Sequence, residues 1–276
     1  MFSFLFFAPI YLLSDDECYI IGLISIAKKG YAMKTYDTVI VGSGYYAFGY
    51  AMTHGNTLIV EETQLADRHF SGCLRGFGYE EAALVGEGAR ALVSYMRDKG
   101  VLRVTRVCVP ALEAGLCDFF MGHMPEILLG TVCTDTVSDE QGYLLTLCNN
   151  EGLSTVRAHR VVDTRVAHGH ILNVLIQGDI GSVSEDVSVS DAFYDGQRRL
   201  SLCFDGETDI NRAKVKVYPI LKRLLSPTGA QVLQMAYRMH RPDAAAPYED
   251  GQGILHVDET FYGDPFAAFE KGELQQ

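Results

Sequence analysis

The fold is decided by the stretch Tyr36-Asp37-Thr38-Val39-Ile40-Val41-Gly42-Ser43-Gly44-Tyr45-Tyr46-Ala47. Its first half is a short apolar run rich in β-branched residues, which predicts a buried parallel strand. The glycines then predict a tight turn, and the segment Tyr45–Thr53 predicts a helix. This order of strand, turn and helix is typical of an α/β protein with a parallel sheet.

The turn has the spacing Gly-x-Gly-x-x-Ala, a form of the dinucleotide-binding fingerprint. Gly42 permits the sharp change of direction, Gly44 lets a pyrophosphate approach the backbone, and Ala47 lets the helix pack on the strand. The free amides and the dipole at the start of the helix favour an anion there. We therefore expect a dinucleotide to bind at this turn.

A second predicted strand, Thr57–Val60, ends at two acidic residues, Glu61 and Glu62. Glu61 lies nineteen residues past Gly42, close to the spacing at which a carboxylate accepts the ribose hydroxyls of a dinucleotide. Glu62 is its neighbour and the alternative for that role.

Composition argues against several classes of protein. The chain has 276 residues and a formal net charge of -12, and no cluster of basic residues is longer than a pair. A nucleic-acid partner is therefore not expected. The seven cysteines are scattered without a Cys-x-x-Cys pair, so we expect no metal site and predict reduced thiols in a cytoplasmic protein.

The first 32 residues differ from the rest of the chain. Two apolar runs, Met1–Leu13 and Tyr19–Ala27, are each too short to span a membrane, and the start carries no basic residue for a signal peptide. We predict that residues 1–32 are a leader or disordered, with Met33 as the native start, and we expect no membrane association.

The remaining chain alternates between helical and strand-like segments. Helices are predicted over Glu80–Lys99, Val109–His123, Ile210–Leu225, Gly229–His240 and Pro265–Leu274. Strands are predicted over Glu126–Val137, Tyr143–Cys148, Ser154–Ala158, Arg160–Asp163, Ile171–Ile176, Leu200–Phe204 and Ile254–Val257. The first three of these strands are separated by short turns and predict a β-meander.

Five pieces of the sequence point to one superfamily. They are the fingerprint with Glu61, the loop Ala66–Cys73, the segment Pro125–Cys133, the strand Arg160–Asp163 and the late motif Tyr262–Ala268, which contains Gly263-Asp264. Together they resemble the FAD-dependent oxidoreductases of the glutathione-reductase-like flavoprotein superfamily, with its FAD/NAD(P)-binding Rossmann fold. The resemblance covers most of the chain from Met33 onward, in pieces.

The resemblance implies FAD as the cofactor and hydride transfer on a small-molecule substrate. It also implies a set of cofactor-binding residues: Gly42, Ser43, Gly44, Tyr45, Tyr46, Glu61, Glu62, Arg68, Ser71, Gly72, Cys73, Val132, Cys133, Asp163, Gly263, Asp264, Pro265 and Phe266. A flavin carries its own hydride chemistry, and no catalytic side chain is assigned.

The predicted fold is a Rossmann-type FAD-binding domain with a three-stranded β-meander and an inserted mixed β/α substrate domain. The FAD-binding parts are residues 33–165 and 251–276, and the substrate domain is 166–250. After Asp163 the chain reads Thr164-Arg165-Val166 where the superfamily has a motif like Ala-Thr-Gly. Two alternatives stay open: a flavoprotein-like binding or partner subunit without catalysis, and an NAD-binding dehydrogenase. The oligomeric state is open as well.

Overall fold

The structure is a computed structural model that describes residues 33–76, 78–165, 169–183, 186–206 and 208–275. The predicted leader over residues 1–32 and the predicted start of the substrate domain at residue 166 lie outside these ranges. From Met33 onward the chain forms one compact unit. No helix in the described ranges has the length and apolar character needed to cross a membrane.

The described residues form fourteen strands and five α-helices. The strands are β1 Thr35–Val41, β2 Thr57–Glu61, β3 Leu102–Arg103, β4 Arg106–Val107, β5 Glu126–Leu129, β6 Val132–Asp139, β7 Gly142–Asn149, β8 Gly152–Asp163, β9 Ile171–Gln177, β10 Val187–Asp191, β11 Gln197–Cys203, β12 Gln231–Met235, β13 Tyr248–Glu249 and β14 Leu255–His256. The helices are α1 Tyr45–Thr53, α2 Glu87–Asp98, α3 Val109–Phe119, α4 Ile210–Leu225 and α5 Pro265–Glu273. Two 3₁₀ turns cover Glu81–Ala83 and Glu259–Tyr262.

The larger sheet has eight strands, with the order β13-β14-β8-β1-β2-β5 and a branch through β7 and β6. Strand β1 lies between two parallel neighbours, so that Val41 is opposite both Val60 of β2 and Asp163 of β8. Because the carboxyl ends of parallel strands meet at one edge, the Gly42 turn, Glu61 and Asp163 share that edge. The fold thus confirms the predicted strand–turn–helix start.

The predicted β-meander is confirmed as β6, β7 and β8, which pair in sequence as antiparallel neighbours. A smaller antiparallel sheet has the order β10-β11-β9-β12, and its strands all come from Ile171–Met235. The domain boundaries of the sequence prediction are not tested by these pairings and stay predictions.

Helices α1 and α5 pack on one face of the larger sheet in unusually close contact. A Cβ on Gly49 of α1 would collide with the carbonyl oxygen of Phe269 in α5, and a Cβ on Gly272 would collide with that of Tyr46. Only glycine allows this approach of the two backbones. The large apolar core around these helices also takes in side chains of the smaller sheet, such as Leu172 and Leu202.

Several predicted elements differ from the structure. The separately predicted strands Ser154–Ala158 and Arg160–Asp163 are one strand, β8. The predicted strand Glu126–Val137 is two strands, β5 and β6, because Gly130 turns the chain with φ of 62°. The predicted helix Gly229–His240 is wrong, since Gln231–Met235 pairs with β9 as β12. The predicted helix Glu80–Lys99 begins only at Glu87, after extended backbone at Gly86.

Candidate functional site

The glycine turn is fully enclosed in this structure. Gly42 has φ of 106°, and its amide donates to the Val60 carbonyl at 2.7 Å, which holds the turn against β2. A Cβ on Gly42 would lie 2.5 Å from the Thr164 hydroxyl oxygen at the end of β8. Gly42, Ser43 and Gly44 are buried, as are Tyr45 and Tyr46 at the start of α1. The predicted turn therefore lies where the sequence placed it, under a cover of neighbouring residues.

Glu61 is held by the turn itself. Its side chain is fully buried and accepts hydrogen bonds from the amide of Ser43 at 3.0 Å, the amide of Thr63 at 2.8 Å and Nη1 of Arg68 at 3.3 Å. Glu62 is exposed and pairs with Arg68 Nη2 at 3.1 Å and with Arg238. Of the two acidic residues, Glu61 contacts the turn and Glu62 points toward solvent.

The side chain of a third acidic residue, Glu259, packs against the start of α1. It belongs to the 3₁₀ turn before Gly263 and is fully buried. A Cβ on Gly44 would stand 2.6 Å from its Oε1, so the carboxyl lies directly against that glycine. In this fold the pyrophosphate approaches the same glycine and the same helix start. The Glu259 carboxyl therefore lies where the fingerprint predicts a phosphate.

Burial raises the pKa of Glu259 well above its usual range, and the nearby Asp67 adds to the rise. The amides of Tyr46 and Ala47 oppose it, because they point their partial positive charge at the carboxyl. Neither amide reaches normal hydrogen-bond geometry, and both oxygens lack a partner among the described residues. The first turn of α1 thus faces an acidic group that it does not fully satisfy.

His69 is the neighbour of Glu259, with Nε2 at 4.0 Å from Oε1. The ring is fully buried, and neither nitrogen has a hydrogen-bond partner within the described ranges. Burial lowers the pKa of His69 well below its usual range, and the charge of Arg68 lowers it further. Since burial favours the neutral form of both groups, the two side chains form a polar contact rather than an ion pair.

The loop predicted to lie under a flavin is organised by Asp67. This buried carboxylate accepts from the amides of His69, Phe70 and Ser71 and from the Ser71 hydroxyl, at 2.7 to 3.2 Å. Gly72 follows, and its carbonyl accepts from the amide of Tyr237 at 2.8 Å. The loop is therefore fixed by its own hydrogen bonds and by the chain after β12.

Cys73 closes that loop as a buried thiol. Burial raises its pKa to about 12, and a thiol in this state is a poor nucleophile. Its Sγ donates to the Arg68 carbonyl at 3.6 Å. The structural role fits Cys73 better than a redox role.

Val132 and Cys133 begin β6, where Val132 is exposed and Cys133 is buried. The hydrogen-bonded Asp163 carboxylate raises the pKa of Arg165, and the nearby Cys133 and Glu62 add to the rise. Arg165 is exposed at the end of β8 and holds Asp163 with two contacts, Nε to Oδ1 at 2.9 Å and Nη2 to Oδ2 at 2.7 Å. The predicted residues of β6 and β8 therefore meet around Arg165, beside the turn.

The late motif caps the last helix. Gly263 has φ of 84°, and the Asp264 carboxylate accepts from the amides of Phe266 and Ala267 at 2.9 Å. Pro265 is the first residue of α5, and the buried ring of Phe266 packs edge-on against Tyr45. The Asp264 carboxylate therefore caps the start of α5, while Phe266 links this motif to the start of α1.

The sequence prediction missed Glu259, Asp67, His69 as a partner, and Thr164 as a contact of the turn. Glu259 belongs to no sequence motif, although it lies only four residues before Gly263. Within the described ranges no group of three or more His, Cys, Asp or Glu side chains is placed to hold a metal ion.

Neither a family model nor a curated protein sequence matches this chain. Solved structures do. A p-nitrophenol 4-monooxygenase from Pseudomonas putida DLL-E4 matches with a TM-score of 0.58 and 15% identity over 87% of this chain and 78% of its own. The anhydrotetracycline hydroxylase OxyS from Streptomyces rimosus matches with a TM-score of 0.56 and 16% identity over 86% of this chain and 60% of its own.

A glycine oxidase from Geobacillus kaustophilus is similar with a TM-score of 0.52 and 13% identity over 88% of this chain and 93% of its own. The chain spans less than two thirds of the length of some of these proteins, such as the 55% of the aromatic hydroxylase CabE. At these identities the likeness concerns the fold. The described part of the chain therefore shares the Rossmann-type fold of these solved structures, as the sequence predicted.

Proposed function

We propose that this chain is an FAD-dependent oxidoreductase acting on a small-molecule substrate, with the FAD pyrophosphate bound at the Gly42–Gly44 turn. The observation that carries the proposal is the Glu259 carboxyl at the first turn of α1, because an acidic group already lies against Gly44 there. The amides of Tyr46 and Ala47 face that group. The donors and the close backbone thus suit a phosphate.

A pyrophosphate and the Glu259 carboxyl cannot share this place, so FAD does not fit unless Glu259 moves. Glu259 belongs to a short 3₁₀ turn that is followed by the exposed Gly263. A buried carboxyl without a hydrogen-bond partner is costly to keep in place, which favours its release to solvent. We expect Glu259 to leave when FAD binds.

The remaining residues support the adenosine half. Glu61 would exchange its contact with the Ser43 side chain, at 3.2 Å, for a ribose hydroxyl. Arg68 would stay between Glu61 and Glu62 and balance their charge. A bound flavin would supply the hydride chemistry. The cytoplasmic location and the substrate class stay predictions.

The test is the visible spectrum of the purified full-length chain, before and after incubation with FAD. We expect flavin bands and the release of FAD on denaturation. Gly44→Asp should abolish the bands because a second carboxylate would repel the pyrophosphate. Gly55→Asp is the matched control, since Gly55 has open space around it. A colourless protein that cannot be reconstituted, or full FAD in Gly44→Asp, would overturn the proposal.

A second candidate is a binding or partner subunit without catalysis. It is favoured by Arg165 beside the turn, where the superfamily has a small residue. This candidate predicts no FAD binding even after Glu259 is removed. An NAD-binding dehydrogenase is less favoured, because the meander β6–β8 stands where such a unit continues with β/α repeats. Titration with NAD in place of FAD distinguishes this candidate, because only an NAD-binding dehydrogenase should bind NAD.

A further inference from the structure

An open cleft of about 480 Å³ lies between the loop after Cys73, the β3–β4 hairpin and the smaller sheet. None of the residues of the Gly42–Gly44 turn lines it. Its polar lining consists of three arginines and three other residues, namely Arg75, Arg106, Arg199, Thr105, Ser190 and Asp191, with Gly263 at its edge.

Two of the arginines have no acidic partner. Arg75 donates from Nη1 to the Arg241 carbonyl at 3.3 Å, and Arg106 donates from Nη1 to the Ala192 carbonyl at 3.2 Å. Among the described residues, no carboxylate lies within ion-pair distance of either.

The third arginine, Arg199, donates from Nε to the Ser190 hydroxyl at 3.1 Å. The one carboxylate in the lining, Asp191, is paired with Arg198 at 3.0 Å. The positive groups of the cleft therefore outnumber its negative ones.

The positive groups oppose one another. Burial lowers the pKa of Arg75 against Cys73 and the charge of Asp258, which raise it, and burial together with Arg75 lowers the pKa of Arg199. The nearby His240 has its pKa lowered to about 4, first by burial and then by Arg75, Arg199 and His170, against the Arg241 carbonyl that raises it. An anion among these groups would relieve their mutual repulsion.

We propose that this cleft binds a small organic molecule through a carboxylate or another oxyanion held between Arg75 and Arg199, with Arg106 at the rim. Guanidinium groups bind such oxyanions with paired, charge-assisted hydrogen bonds. The cavity is large enough for a ring-sized molecule. None of the residues of the Gly42–Gly44 turn lines the cleft, so benzoate should bind whether or not the purified protein carries FAD.

The test is isothermal titration calorimetry of the full-length chain with sodium benzoate, with benzyl alcohol as the neutral analogue. We expect benzoate to bind and benzyl alcohol to bind at least about tenfold more weakly. Arg75→Met and Arg199→Met should each weaken benzoate by about tenfold or more. Arg212→Met on α4 is the control, because Arg212 is exposed and pairs with Asp209; it should leave the affinity unchanged.

A second readout is the pKa of His240, followed by the NMR shift of its ring protons during a pH titration. Bound benzoate should raise that pKa, since the anion offsets the charges of Arg75 and Arg199. Three results would each overturn the proposal. They are equal binding of benzyl alcohol, unchanged affinity in a folded Arg75→Met, and a His240 pKa that does not change when benzoate binds. Arg75→Lys should recover part of the affinity, because it keeps the charge without the paired donors.

Discussion

At the scale of single residues, the proposed FAD site predicts that Glu259 and a cofactor phosphate compete for the first turn of α1. We expect Glu259→Ala to lower the Kd for FAD by about tenfold, because the variant removes both the competing carboxyl and the cost of moving it. FAD titration followed by flavin fluorescence measures the change. Glu249→Ala, at an exposed position of β13, is the control and should change nothing. Weaker FAD binding in Glu259→Ala would show that Glu259 helps to hold the cofactor.

The two buried histidines, His240 and His69, should make the protein less stable at acidic pH. The pKa of His240 is lowered to about 4, and that of His69 is lowered well below the ordinary value near 6.5. The unfolded chain therefore binds more protons, and stability that is present above pH 6.5 is lost as the pH falls toward 4. His240 alone accounts for about 3 kcal/mol of this loss.

Urea unfolding at pH 7.0 and pH 4.5 measures this effect, and His240→Asn should flatten the pH dependence. His54→Asn is the control, because His54 lies at the exposed end of α1 and forms a hydrogen bond there. An unaltered pH dependence in His240→Asn would contradict the prediction.

Residue roles could be predicted only where a sequence motif sets the backbone. The spacing from Gly42 to Glu61 placed both residues at one edge of the sheet, since parallel strands align their ends. Glu259 had no such signal, because its contact with Gly44 bridges positions far apart in the chain. Asp264 carried the right motif, but the structure uses its oxygens to cap α5, a local role that the motif alone does not reveal.

At the scale of elements, the crossing of α1 and α5 depends on two glycines. We expect Gly49→Ala and Gly272→Ala each to destabilise the protein by about 3 kcal/mol, because the added methyl would collide with a backbone carbonyl of the other helix. Thermal unfolding should show a Tm lower by roughly 10 °C. Gly55→Ala has open space and is the control. Normal stability in Gly49→Ala would mean that the helices separate easily.

Elements whose ends are marked by glycine, proline or a capping residue were predicted well. Strand β1 and helix α1 are bounded by Gly42 and by the turn after Thr53, and α5 begins at the Asp264-Pro265 cap. The failure at β12 has a tertiary cause: Gln231–Met235 has apolar residues that suit a helix, but pairing with β9 makes it a strand. Periodicity in five residues is too short to distinguish the two.

At the scale of the whole molecule, one apolar core joins both sheets. The core that surrounds α1 and α5 includes Leu172 and Leu202 of the smaller sheet. In addition, buried Asn173 of β9 donates to the carbonyls of Cys73 at 2.8 Å and Leu74 at 3.1 Å. We therefore expect the two sheets to unfold together.

Leu202→Ala tests this prediction, because the cavity it leaves should destabilise both sheets by about 3 kcal/mol. Hydrogen exchange measured on peptides that cover β1 and β9 should speed up in both. Val215→Ala, at an exposed position of α4, is the control. Faster exchange in the β9 peptides alone would instead support a separately folding domain near the predicted boundaries 166–250.

The packing of α5 on α1 has a consequence for synthesis. Helix α1 is made early, yet its cover comes from the other end of the chain: the Tyr46 hydroxyl donates to Gln275 Oε1 at 3.3 Å, across 229 residues. At about 5–20 residues per second, translation takes on the order of ten seconds or more to produce that cover. During this interval the apolar side of α1 has no native partner from α5. A nascent chain of this protein should therefore engage chaperones until α5 leaves the ribosome.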